Sequence, residues 1–191
     1  MSELVVIEYV SLDGVIQAPG HADEDRDDGF AHGGWTGPWI EEHGPAMLAT
    51  FRAAGGMLLG RRTYDIWASY WPTASDELAV TLNALPKYVV STTLTDPSWE
   101  PTTVFARVDE VAGLRDAPGA DIVLMGSGEL ARALAERDLV DRYVLWAHPV
   151  ALGSGKRLFA RDGGPARAFR LVDCRTTASG LVITTHERDR P

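Results

Sequence analysis

Strand-length apolar runs alternate with helical patterns between residues 57 and 137, and that alternation restricts the fold more than any other feature of the chain. Met57-Leu58-Leu59, Tyr88-Val89-Val90, Val104-Phe105 and Ile122 to Met125 have strand length, while Arg62 to Ser69, Asp76 to Ala84, Asp109 to Arg115 and Glu129 to Arg137 suit helices. Strand, helix and strand in that order join most readily as a parallel crossover, so βαβ units and a largely parallel sheet are predicted. Leu4 to Val10 adds a strand ahead of these, with Val5, Ile7 and Tyr9 on one face, Val6, Glu8 and Val10 on the other, and Asp13-Gly14 as its break. Pro45 to Ala54 is predicted as a helix closed by Gly55-Gly56. The pattern then changes: Asp141 to His148 reads as a long strand, and Phe169 to Thr177 with Leu181 to His186 as a hairpin around Ala178-Ser179-Gly180. The expectation is one α/β domain over residues 1–191, with a mixed, mostly parallel sheet, helices on both faces and a C-terminal antiparallel hairpin.

Composition removes several alternatives. With 45% hydrophobic and 24% charged residues in 191, the chain can bury a core and does not read as disordered. Its longest uncharged stretch, Tyr143 to Gly155, is 13 residues broken by Pro149, Gly153 and Gly155, too short to span a bilayer. The N-terminus has neither a basic region nor a small-residue cleavage site, so a cytosolic protein is expected. The single cysteine, Cys174, permits no internal disulfide and no Cys-cluster zinc site; no metal centre is expected, and Cys174 should pack as a small hydrophobe. The net charge of −9 is uneven, because residues 1–43 hold 10 acids and 1 base while the remainder holds 17 of each. Such a field repels phosphate backbones, which argues against a nucleic-acid partner.

Three strand ends carry phosphate-binding chemistry. Met57 to Tyr64 runs from an apolar strand into Gly60, Arg61, Arg62 and Thr63, which offers backbone N–H groups, a positive helix end and guanidinium forks together. Ile122 to Leu130 brings a strand to Gly126-Ser127-Gly128 at a helix start, where missing side chains let a pyrophosphate approach, although the full dinucleotide fingerprint is absent. Val89-Val90-Ser91-Thr92-Thr93 sets three hydroxyls at a third strand end. Ligands of open α/β sheets bind beyond the carboxyl ends of strands, so the coincidence points to a shared nucleotide site. The loop from Ala18 to Pro38 is long enough to suggest a lid. Its acidic run, Asp23, Glu24, Asp25, Asp27 and Asp28 between His21 and His32, reads as a solvated loop, with a divalent cation as the other reading.

Ser11-Leu12-Asp13-Gly14-Val15-Ile16, Leu59-Gly60-Arg61-Arg62-Thr63-Tyr64, Val90-Ser91-Thr92, Gly126-Ser127-Gly128-Glu129-Leu130 and His148-Pro149-Val150-x-x-Gly153-x-Gly155 follow one another in this order. Together they resemble the dihydrofolate-reductase-like superfamily, in the branch related to the C-terminal reductase domain of bifunctional riboflavin-biosynthesis deaminase/reductases; His32-Gly33-Gly34-Trp35 is similar to its stand-alone members. The resemblance implies a three-layer fold, NADPH as cofactor and a cytoplasmic oxidoreductase acting on a C=N or C=O bond of a small, pyrimidine- or pterin-like heterocycle. Under it, Arg61 meets the 2′-phosphate, Ser91 and Thr92 add hydroxyls there, and Arg62 and Thr63 hold the pyrophosphate with Gly126, Ser127, Gly128, Glu129 and Leu130 opposite. Ile16 lies against the nicotinamide, Trp35, Val150 and Gly153 form a substrate side, and a homodimer packs near Tyr143 to Trp146. A nucleotide-binding protein of the same fold without turnover is the alternative.

The departures matter as well. Met47 stands about where dihydrofolate reductases carry the pterin-binding carboxylate, and Met125 where riboflavin-pathway reductases usually carry an acid, so neither dihydrofolate nor the riboflavin intermediate is the expected substrate. An acid introduced at Met47 should improve dihydrofolate turnover slightly. No Cys/His deaminase motif is present. Asp13 reads as a turn residue or as a proton relay, Trp35 and Trp39 as an aromatic wall or as a plug under the long loop, and His148 as a packed histidine rather than a base. Lys156 and Arg157 after the second Gly-Ser-Gly have a substrate anion or an ordinary connection as their two readings.

Overall fold

The computed structural model describes residues 2–116, 118–159 and 166–189. Eight strands form one sheet: β1 (Leu4–Ser11), β2 (Gly56–Gly60), β3 (Lys87–Val90), β4 (Thr102–Phe105), β5 (Ile122–Met125), β6 (Arg142–His148), β7 (Phe169–Thr176) and β8 (Val182–Arg188). Among the described residues five α-helices accompany them: α1 (Ile40–Ala53), α2 (Arg61–Tyr70), α3 (Glu77–Ala84), α4 (Ala112–Asp116) and α5 (Gly128–Glu136). The strand order is β4-β3-β2-β5-β1-β6-β8-β7, parallel from β4 through β6, with β8 antiparallel to β6 and β7 to β8. This is the mixed sheet with a C-terminal hairpin that the alternation predicts.

All eight residues of β1 are buried because it lies between two parallel strands and beneath helices on both sides. Val5, Ile7 and Tyr9 join a core with Phe51 of α1, Tyr64 of α2 and Leu82 of α3. Leu4, Val6 and Val10 face the other core, with Leu130, Ala131 and Leu134 of α5. The period of two along β1 therefore feeds two cores at once, which makes three layers.

Helix α1 begins at Ile40, five residues before Pro45, and so differs from the predicted start. Proline forfeits one backbone hydrogen bond, yet the first turn survives because His43 is buried against Tyr9 and His148. Asp109 to Arg115 divides into a 3-10 turn, Val108–Val111, followed by the short α4. Cys174 is exposed, not packed: β7 is the sheet edge and both its faces are open along most of its length.

Candidate functional site

The C-terminal ends of β3, β2 and β5 lie side by side, and over them opens a cavity of about 970 Å³. Ile16, Gly60, Arg61, Arg62, Thr63, Ser91, Thr92, Gly126, Ser127, Gly128, Glu129 and Leu130 all line it. Every residue assigned to the cofactor from sequence is thus brought to one cavity, at the strand ends where open α/β sheets place their ligands.

Two strand-to-helix turns form its base and are stitched together. The Gly60 amide donates to Ser127 Oγ at 2.9 Å, and the Thr63 hydroxyl donates to the Gly126 carbonyl at 2.9 Å. Ser127 stands at the N-cap of α5, but its oxygen serves Gly60 instead of its own helix; neither α5 nor α2 has a side-chain cap. By contrast, α3, which lies outside the cavity lining, is capped by Asp76. Helices of 10 and 9 residues therefore present free first-turn N–H groups and positive dipole ends at the cavity. Gly126 has φ +74°, which favours glycine, and a Cβ on Gly128 would lie 2.3 Å from Ile16 Cδ1, so the turn can approach the Ile16 wall closely.

Arg61 is oriented at both ends of its guanidinium: Nε donates to Asp65, and Nη1 to Thr93 Oγ1 at 3.1 Å. Ser91 Oγ accepts the amides of Thr93 and Leu94. The hydroxyl that meets Arg61 is thus that of Thr93, beside the predicted Ser91 and Thr92. Arg107, Arg132 and Arg137 also line the cavity; α5 supplies Arg132, and its C-cap is Arg137. Those three lie outside the glycine-bearing segments, so no local motif pointed to them.

The acidic loop is not simply solvated. Lys156 Nζ donates to Asp25 at 2.6 Å and to Asp27 at 2.7 Å, and Arg62 Nη1 lies 3.0 Å from Asp25 and 2.8 Å from Asp27. Hydrogen bonds from Lys156 and Arg62 hold the Asp27 carboxyl down at about 2. Gln17, buried beneath, donates through Nε2 to the carbonyls of Asp25 and Asp27. Asp25 and Asp27 thereby turn onto two cations of the cavity rim, a pairing that charge counting along the chain does not reveal.

Asp13, Trp35, Val150 and Gly153 do not line the cavity. The Asp13 carboxylate accepts the Ser11 hydroxyl at 2.7 Å, the Leu152 amide at 3.1 Å and the Gly153 amide at 2.9 Å. These bonds, that of Ser11 foremost, hold it well below the usual carboxylate range. It has no proton to give at neutral pH, so the relay reading yields to the turn reading; Val150 and Gly153 belong to the strap that this turn pins. Trp35 is buried, and its indole N–H donates to the Gln17 carbonyl at 2.8 Å, which makes it the plug under the loop.

His148 packs edge-on to Tyr9, Trp35 and Trp39, as its strand-end position suggested. Its Nδ1 lies 2.8 Å from the Trp146 carbonyl and its Nε2 3.1 Å from His43 Nε2. A carbonyl can only accept, so His148 Nδ1 carries the hydrogen; in neutral His148, Nε2 then accepts from His43 Nε2–H. Burial lowers the pKa of both rings, with His43 at about 4. On the same side, Met47 and Met125 share a void of about 10 Å³ with Ile7, Thr50, Phe51 and Trp146. That small, mainly apolar setting overturns the expectation that an acid at Met47 would help.

The sequence model of the RibD C-terminal domain family matches residues 3–183. The chain belongs to the RibD C-terminal domain family. Among relatives of this RibD-type chain, the uncharacterized protein YyaP of Bacillus subtilis (strain 168) is 34% identical over 132 residues, 66% of this chain and 70% of that protein. Among solved structures, a candidate riboflavin biosynthesis protein from Shewanella sp. PV-4 matches with TM-score 0.67 and 21% identity, over 98% of this chain and 99% of that one. A diaminohydroxyphosphoribosylaminopyrimidine deaminase/5-amino-6-(5-phosphoribosylamino)uracil reductase from Thermotoga maritima matches with TM-score 0.64 and 10% identity, over 98% of this chain and 57% of that one. A pyrimidine reductase-like protein from Corynebacterium diphtheriae matches with TM-score 0.58 and 12% identity, over 100% of this chain and 93% of that one. These three share the fold of this RibD-type domain. Among the described residues no helix is long and apolar enough to cross a membrane.

Proposed function

We propose that the protein is an NADPH-dependent oxidoreductase that delivers a hydride to a C=N or C=O bond of a small heterocyclic substrate. The observation that carries this reading is the convergence of two uncapped helix N-termini and Arg61 on one cavity. Free N–H donors and a positive field suit a diphosphate, and a guanidinium beside Ser91 and Thr93 suits a 2′-phosphate. The close contact of Gly128 with Ile16, which a Cβ would block, sets the Ile16 side chain beside the turn as an apolar wall of the cavity.

When bound, the reduced nicotinamide supplies the hydride, and the chain's own residues bind, orient and exclude water. Arg61 and the Ser91–Thr93 hydroxyls fix one end. The stitched turns fix the middle, and Ile16 with the Gln17–Pro19 segment closes the other end. Asp13 is held ionised, so the reaction proton comes from water. The Asp25–Lys156–Asp27–Arg62 cluster sits at the rim, where an anionic ligand would compete with these carboxylates for Lys156 and Arg62.

A second reading, nucleotide binding without turnover, is favoured by the packing around Met47 and Met125, where the void is only about 10 Å³. Anaerobic NADPH oxidation across a panel of pterins, pyrimidines and imines separates the two. Consumption with any member supports the reductase; tight NADPH binding with no consumption across the panel favours the binding protein.

A further inference from the structure

Glu8 is the one acidic residue in the middle of β1, and it is 2% exposed. Its neighbours on that face, Val6 and Val10, belong to the apolar core beneath α5. Backbone register explains what it meets: Ile7 pairs with Met125, the last residue of β5, so Glu8 stands level with Gly126, where the strand leaves the sheet for the cofactor-side turn. The Gly126 backbone hydrogen-bonds its carboxyl, while Glu8 Oε1 has no partner among the described residues. A buried ionised carboxylate would require a paired cation. The described cation that acts on it, Arg132, donates instead through Nη1 to the Arg157 carbonyl at 2.7 Å.

We propose that Glu8 is a proton-linked positioning residue of this site, a neutral carboxylic acid clamped behind the Gly126–Gly128 turn, whose proton strengthens the turn's hold on an anionic ligand. The proposal rests on the reading of the cavity as a phosphate-bearing cofactor site. Its logic is electrostatic. Deprotonation puts a negative charge directly behind the free N–H groups of α5, where it opposes a diphosphate at short range and low dielectric. Burial raises the Glu8 pKa to about 8; the Gly126 backbone bond works against that rise, Glu24 adds to it and Arg132 subtracts from it. Tyr143 of β6 also faces Glu8 and stays neutral, its pKa pushed up to about 12 by burial.

Calorimetric titration of NADPH into the wild-type protein and Glu8→Gln at pH 7, 8 and 9, each in two buffers of different ionisation enthalpy, tests this. The window lies above the second ionisation of a phosphate monoester, at about 6. The wild type should lose about fivefold in affinity from pH 7 to 9 and take up a fraction of a proton on binding, for a cofactor charge that raises the Glu8 pKa by about one unit. Glu8→Gln, which keeps the neutral shape, should bind as at pH 7 throughout and show no such uptake. Binding without proton uptake in the wild type, or the same pH profile in both proteins, overturns the role of Glu8 and leaves the cofactor site standing. Absence of NADPH binding to the wild type at every pH overturns both. If Glu8→Gln does not fold, buffer-dependent heats in the wild type decide alone.

Discussion

Arg61 concentrates the cofactor preference in a single side chain, since its guanidinium is already aimed by Asp65 and Thr93 and loses little freedom on meeting a phosphate. A charge-assisted contact of this kind contributes about 1.5 to 3 kcal/mol, so NADPH should bind at least about tenfold more tightly than NADH. Arg61→Ala should abolish most of that difference while leaving NADH affinity nearly unchanged, as paired titrations would show. Met47→Asp should instead cost stability, because it sets a carboxylate beside an apolar void with Phe51 and Trp146, and it should leave dihydrofolate turnover undetectable in a standard assay. Three buried side chains shape stability against pH, the two histidines in the opposite sense to Glu8. His43 and His148 stay neutral when folded, so their contribution is full above about pH 6.5 and is lost as pH falls through the lowered folded values. Glu8 keeps its proton when folded, so its contribution is full below about pH 4.3 and is lost as pH rises towards 8. Between pH 6.5 and 8 the Glu8 slope stands clear of the histidines, at about 1.4 kcal/mol per pH unit for one proton. Chemical denaturation across that window should show stability falling with pH in the wild type and a flatter line in Glu8→Gln; parallel lines would contradict the protonated state of Glu8.

At the scale of elements, the two strand-to-helix turns act as one unit because each supplies a bond to the other, Gly60 to Ser127 and Thr63 to Gly126. Ser127→Ala and Thr63→Val should each cost about 1 kcal/mol, and the double variant should cost less than their sum, because loosening either turn already weakens the other bond. Urea unfolding of the four proteins measures this directly; strict additivity would mean that the turns are independent. These turns were legible in the sequence because glycines, hydroxyls and arginines crowd into short segments after apolar strands. Other features were not. Pro45 disguised the start of α1, since the first turn is anchored by His43 packing against Tyr9 and against His148, which is 105 positions away. The Asp25–Lys156 pair joins positions 131 apart, and the run of acids resembled an ordinary solvated loop. The burial of Glu8 was not legible either, because alternation puts it on one face with Val6 and Val10 but does not say that both faces of β1 are covered. Cys174 misled for the reverse reason: composition suggested burial, while sheet order puts β7 at the edge.

For the whole molecule, the sheet leaves one edge unprotected. Tyr143 and Trp146, which suggested a dimer contact, are buried within the chain, whereas Leu171 is 53% and Val172 38% exposed on β7. A long open edge with apolar side chains is a surface that proteins normally cover, and two-fold homodimers are the commonest way. We propose a homodimer through β7: light scattering should give about twice the 20.7 kDa of one chain, and Leu171→Lys should halve it. A mass of one chain that does not change on concentration would contradict this. Amide hydrogen exchange with and without NADPH tests whether the cavity over β2, β3 and β5 is the NADPH site. Slowed exchange is expected in three separate stretches at once, residues 61–63, 91–93 and 126–129. Protection confined to the His43–His148 side, or binding that leaves both turns unprotected, would contradict it.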